Sequence, residues 1–109
     1  MKTLKFRQSL VKPILSGSKD STWRLFDDKD LSPGDVISFL VWETKKEFAE
    51  AELLEVTEKR FSELTEKDRE GHERFSSDKK MYEKYSEYYG RKVTKETPVK
   101  LIRFKILQI

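Results

Sequence analysis

Residues 17–24 read Gly-Ser-Lys-Asp-Ser-Thr-Trp-Arg and hold the side chains best suited to chemistry. Gly17 closes a helical stretch, so Lys19 lies just past a helix C-terminus. Strand alternation then puts Thr22 and Arg24 on one face and Trp23 on the other. This spacing gathers an ammonium, a hydroxyl and a guanidinium at one helix–strand junction. Arginine recognises phosphate or carboxylate in a planar, bidentate way, whereas lysine is a mobile point charge or, once desolvated, a base. A threonine hydroxyl becomes a nucleophile only when a base takes its proton, and a lysine of depressed pKa can do so. A purely structural account stands beside this one. Lys19 answers the helix dipole, Thr22 serves as a strand former, and Arg24 pairs with Asp27 or Asp28. Spacing alone leaves both open.

The flanking sequence supplies the elements that must position these groups. Thr3–Arg7 alternates, with Leu4 and Phe6 on one side, as a half-buried strand does. Gln8–Ser16 carries Leu10, Ile14 and Leu15 at helical spacing and stops at Gly17; Pro13 demands a late start or a kink. Ser21–Phe26 reads as a second strand, and Ser32-Pro33-Gly34-Asp35 as a turn. Val36–Trp42 is almost wholly apolar, the pattern of a strand covered on both faces. In Phe48–Thr57 the apolar phase slips by one residue, from Ala49, Ala51 and Leu53 to Leu54 and Val56. A β-bulge or a change of sheet produces such a slip. Ser62–Gly71 reads as a short helix. Ser77–Tyr89 is a helix capped by Gly90, with a Met81, Tyr85, Tyr88 stripe that suits core packing or, alternatively, base stacking. Val99–Ile109 is a long closing strand with Ile102, Phe104 and Ile106 on one face. The expectation is one α+β domain over residues 1–109: a small mixed barrel of about five strands, with two or three short helices at its openings.

Composition narrows the functional classes. The chain has 109 residues, 39% of them charged and 36% hydrophobic, so a small core sits inside a heavily ionised surface. Such mixed charge suits surface ion-pair networks, and 12% aromatic residues argue against disorder. Without cysteine there is no disulfide, thiolate metal site or cysteine nucleophile. The single histidine, His72, argues against a histidine-built metal site and reads as an exposed loop residue; no metal or cofactor is expected. No apolar run approaches the roughly 18 residues of a membrane span, and no signal-peptide pattern opens the chain. A soluble, cytoplasmic protein without a membrane partner is expected. The net charge of +3 is unevenly spread. Residues 1–24 hold six basic residues against one acidic, 25–58 three against ten, 59–89 eight of each, and 90–109 six against one. If the two terminal strands are neighbours, their charge adds into one positive face around Lys19 and Arg24, suited to a phosphate backbone.

The pattern G-x-K-x-x-T-x-R, after a short helix and leading into a strand, resembles the signature of the ASCH domain, in the PUA-like superfamily. Leu31-Ser32-Pro33-Gly34-Asp35-Val36 is similar to the family's L-x-x-G-D turn. Glu55-Val56-Thr57, Phe61, Leu64-Thr65 and Asp68-Arg69-Glu70-Gly71 follow its next conserved stretch in the same order. The resemblance implies a PUA-like barrel whose cleft accepts RNA or a modified nucleoside. It extends to small bacterial amidohydrolases that deacylate N4-acetylcytidine, in which a Lys, a Thr and a downstream Glu form the catalytic set. Carried over by position, these are Lys19, Thr22 and Glu70, with Glu73 as the alternative carboxylate and Glu66 nearby. In a competing, purely binding reading Lys19 and Arg24 hold phosphate, with Trp23 and Trp42 as core residues or, alternatively, stacking surfaces. Three functions remain in view: RNA or nucleoside binding, amidohydrolysis, and protein interaction through the acidic middle segment.

Overall fold

The computed structural model describes residues 2–26 and 29–108. Their strands are β1 (Thr3–Phe6), β2 (Ser21–Arg24), β3 (Val36–Val41), β4 (Glu47–Arg60) and β5 (Pro98–Gln108). They form one sheet in the order β1-β3-β4-β5-β2. The β1–β3 pair is parallel and the other three are antiparallel. The helices are α1 (Val11–Ser16), α2 (Glu66–Arg69) and α3 (Asp78–Tyr89). This is the expected α+β architecture, a mixed sheet curled into a half-barrel.

Local sequence accounts for each boundary. A 3₁₀ turn over Gln8–Leu10 precedes α1, so Pro13 falls in the first helical turn, where no amide donor is needed. Gly17 ends α1 in the left-handed region at φ 86°, donating to the Ile14 carbonyl at 3.2 Å. In β3 the consecutive residues Ile37, Ser38 and Phe39 are all buried, as a strand covered on both faces requires. The phase slip in β4 is a bulge: register against β5 shifts between Leu53 and Glu55, and Leu54 is pushed out to solvent. The Ser77 hydroxyl caps α3 by accepting from the Lys80 amide.

The long strand β5 is the wall between two cores. Its Ile102 and Phe104 join Leu4, Phe6, Ile37, Phe39 and Leu53 inside the half-barrel. Its Val99 and Leu101 face the other way and join Trp23, Phe61, Met81 and Tyr85 beneath α3. The aromatic stripe of α3 therefore divides, with Met81 and Tyr85 in the core and Tyr88 about half exposed.

One expectation fails here. The first and last strands are not neighbours, because β3 and β4 lie between them. The parallel β1–β3 pairing puts β1 at one edge, and β2 pairs with the outer side of β5 to form the other edge. Much of the C-terminal basic charge is spent on carboxylates. Arg103 approaches Asp20 and Glu55, and Lys105 approaches Glu52.

Candidate functional site

Curling brings the two sheet edges, β1 and β2, face to face without pairing them. The Arg24 guanidinium bridges the seam, donating from Nη2 to the Lys5 carbonyl at 2.8 Å and lying 4.7 Å over the Phe6 ring. A cavity of about 330 Å³ opens beside this bridge. It is walled by Lys5 of β1 and Arg7 just after it, and from β2 by Thr22, Trp23 and Arg24. Because the cavity wraps around the free edge of β2, side chains from both faces of that strand reach it. The alternation expected to separate Trp23 from Thr22 and Arg24 does not keep it out. Trp42, after β3, and tyrosines of α3 complete the rim.

Glycine 71 sets the far wall. The chain leaves α2 at Glu70 and turns at Gly71, whose φ of 75° is left-handed. The Gly71 carbonyl then accepts from the amides of both Asp20 and Ser21, at 3.0 and 3.2 Å. This clamp lays His72 and Glu73 against the start of β2.

Lys19 is buried at 3% exposure. Its ammonium donates to the Ser21 carbonyl at 2.7 Å and to Glu73 Oε2 at 2.5 Å. Desolvation holds the Lys19 pKa below its ordinary 10.5, against the opposing pull of Glu73. Burial alone pushes the Glu73 carboxyl up, but His72 and Lys19 more than offset it and hold it below 4.5. Lys19 does not itself line the cavity; it acts on it through Glu73, which does.

The carboxylate at Lys19 is therefore Glu73, the alternative, and not Glu70. The Glu70 side chain is exposed, and its backbone carbonyl accepts from Arg103. Glu66 pairs with Arg74 in solvent. The reversal at Gly71 is the physical reason, since it carries residues 72 and 73 back toward β2 and leaves 70 behind. Lys19 thus has a carboxylate partner, not merely a helix dipole to answer. Asp27 and Asp28, the partners considered for Arg24, lie outside the described residues.

The expected exposure of His72 is also wrong. The ring is buried at 8% exposure and stacks on Trp23, with centroids 3.8 Å apart and planes 12° from parallel. Its Nδ1 lies 2.9 Å from the Glu73 carbonyl and its Nε2 lies 3.3 Å from the Tyr85 hydroxyl. Trp23 is 4% exposed and belongs to the core while one part of it borders the cavity. Trp42 is 44% exposed, with the Lys45 ammonium 3.9 Å and the Arg7 guanidinium 5.3 Å from its ring centroid. A base stacking on Trp42 has to share the ring with these cations. Among the described residues, no group of three or more His, Cys, Asp or Glu is placed to hold a metal ion, and no helix is long and apolar enough to cross a membrane.

No protein-family model matches the sequence, and no curated protein matches it. Solved structures do match the fold. The ASCH domain from Lactobacillus crispatus JV V101 superposes with a TM-score of 0.69 at 13% identity, over 99% of this chain and 81% of that one. Hypothetical protein PH0355 gives 0.74 at 24% identity, over 98% of this chain and 100% of that one. ASCH from Zymomonas mobilis gives 0.64 at 17% identity, over 94% of this chain and 65% of that one. The fold is that of ASCH domains, as the sequence patterns implied.

Proposed function

We propose that the seam cavity binds a nucleoside, either free or as a unit of RNA. The observation that carries this reading is the joining of three kinds of wall in one volume. The same cavity is lined by aromatic side chains, Trp42 and the α3 tyrosines among them, by the cations Lys5, Arg7 and Arg24, and by the Glu73 carboxylate. A base needs π-faces and a hydrogen-bond acceptor or donor, and a ribose phosphate needs cations. A volume of about 330 Å³ is at the small end of ligand pockets, suited to one nucleoside and not to a duplex. The ASCH-type fold supports an RNA-binding kind of domain.

The test is a pair of titrations, of cytidine and of a short single-stranded oligoribonucleotide, each repeated across a range of salt. Nucleoside affinity is expected to change little with salt. Oligonucleotide affinity is expected to fall, with a log–log slope near −2 if Lys5, Arg7 and Arg24 meet about three phosphates at roughly −0.7 each. Absence of binding by both ligands at millimolar concentration contradicts the proposal.

Amidohydrolysis of an N4-acylated cytidine is the second reading, favoured by one specific observation. Thr22 borders the cavity, and three residues before it stands Lys19, buried, paired with Glu73 and of lowered pKa. In this scheme Thr22 Oγ attacks the acyl carbonyl and its proton passes to Lys19, which must first give up the proton it carries in its pairing with Glu73, a loss that burial favours. Lys19 then passes that proton to the leaving cytidine amine as the C–N bond breaks, and water hydrolyses the threonine ester, releasing the acid and restoring the hydroxyl. Wild type should convert N4-acetylcytidine to cytidine and acetate, with turnover reduced about 10²-fold or more by Thr22→Ala or Lys19→Ala. A wild type that produces no cytidine removes this reading and leaves the binding one.

A further inference from the structure

The segment after Gly71 holds a buried titratable side chain that the reading above leaves idle. His72 packs its ring on Trp23 of β2, and both ring nitrogens have partners. The partner of Nδ1 is a backbone carbonyl, which only accepts, so Nδ1 must carry the proton. The same Nδ1 lies 3.2 Å from Glu73 Oε2. Nε2 is left as an acceptor, and the Tyr85 hydroxyl of α3 donates to it at 3.3 Å. The Tyr85 hydroxyl thus donates to His72, while the His72 Nδ1–H and the Lys19 ammonium both turn their protons toward Glu73. We infer that His72 is a positioning residue, which as a neutral Nδ1–H tautomer fixes the Glu73 carboxylate against Lys19. The inference rests on the proposed site only in taking Glu73 as its carboxylate wall.

The geometry gives this contact a definite consequence. Lys19 and His72 both converge on one oxygen of Glu73, Oε2. Oε1 takes no hydrogen bond from the described residues, while Glu73 borders the cavity. Oε1 is thereby presented as an acceptor for an N–H or O–H of the ligand, with the Lys19 ammonium hydrogen-bonded to Oε2 and the His72 Nδ1–H, bonded to the Glu73 carbonyl, 3.2 Å from the same oxygen. Of the charged groups around the imidazole, Lys19 and Arg69 reinforce its neutral state and Glu73 opposes them. Lys19 approaches from the α1–β2 connection and Arg69 from α2, with Glu73 beside it and the Tyr85 phenol on α3. Burial, followed by the Lys19 charge, pulls the His72 pKa from 6.5 down to about 4, so the ring is neutral near pH 7. A charged ring would stand beside the Lys19 ammonium and Arg69.

Because His72 is the only histidine, its ring nitrogens are identified without ambiguity in a ¹⁵N spectrum of the intact wild-type protein. The spectrum is expected to show a protonated Nδ1 and an unprotonated Nε2 from pH 5 to 8. An Nε2–H tautomer, a tautomer mixture or an imidazolium in that range overturns the inference. The second measurement follows the Glu73 carboxyl carbon with pH in wild type, His72→Phe and His72→Asn. His72→Phe keeps a ring on Trp23 but loses the donor, so the Glu73 titration should move to higher pH. His72→Asn restores an N–H near Nδ1 and should bring it back toward wild type. A Glu73 titration unchanged in His72→Phe overturns the inference, and if that variant does not fold, the wild-type spectrum still decides. The two proposals fail separately. The expected tautomer in a protein that binds no nucleoside removes the ligand reading alone, and nucleoside binding with the other tautomer removes the His72 assignment alone.

Discussion

At the residue scale, the site turns on a buried ammonium with unequal partners. Lys19 is 3% exposed, whereas the Glu73 side chain keeps 39% of its surface in contact with solvent. Removing the carboxylate strands a buried charge; removing the amine leaves an acid that water can still solvate. Glu73→Ala should therefore destabilise the fold more than Lys19→Met, by about 1–2 kcal/mol, measured as a difference in urea midpoints. Equal losses would mean that the pair is solvated from both sides. His72 gives an acid prediction with a definite sign. Its folded pKa is about 4 and its ordinary value 6.5, so between those values the unfolded chain binds a proton that the folded one refuses. Stability from this group is complete above pH 6.5, is lost as pH falls toward 4, and amounts to about 3 kcal/mol. The lowered Glu73 carboxyl acts in the same direction, below pH 4.5. In His72→Phe the fall between pH 6.5 and 4 should shrink by about that amount in thermal or urea unfolding. An unchanged pH dependence would show that the ring is protonated in the fold.

At the element scale, the turn at Gly71 decides which acid belongs to the site. An alanine there would place its Cβ 1.7 Å from Asp20 Oδ1, but that side chain is largely exposed and can rotate away. The left-handed φ of 75° is what remains, at about 1–2 kcal/mol for a residue with a Cβ. Gly71→Ala should cost that much, and adding Asp20→Ala should not recover it. Full recovery would place the cost in the clash instead. The same turn explains the limits of reading this sequence unaided. Strands, caps and the Leu54 bulge are legible because hydrophobic period and glycine position are local signals. Lys19, Thr22 and Arg24 are legible as a cluster because six consecutive residues place them. The choice among Glu66, Glu70 and Glu73 is not local, since it depends on the direction in which one short helix releases the chain. His72 is opaque for the same reason: nothing in Gly71-His72-Glu73 announces that Trp23, some fifty positions earlier, will cover its ring.

At the scale of the whole molecule, the charge blocks matter through topology and not through their totals. Net charges of opposite sign along the chain suggested that the two basic ends would add, yet β3 and β4 separate them and Arg103 and Lys105 meet carboxylates. The cations beside the cavity come instead from β1, the residue that follows it, and β2, where the half-barrel brings the two sheet edges together. Edge strands are ordinarily a liability, and here Arg24 spans the seam while aromatic side chains fill part of it. The central claim is that this seam is the nucleoside site. Its most direct test is a cytidine titration followed through the indole N–H signals of the only two tryptophans, Trp23 and Trp42, which both line the cavity. Both signals should shift with one common, saturable dissociation constant, and Arg24→Ala should weaken it. If both stay fixed at millimolar cytidine while other amide signals saturate elsewhere, the site lies on another surface and the account is wrong.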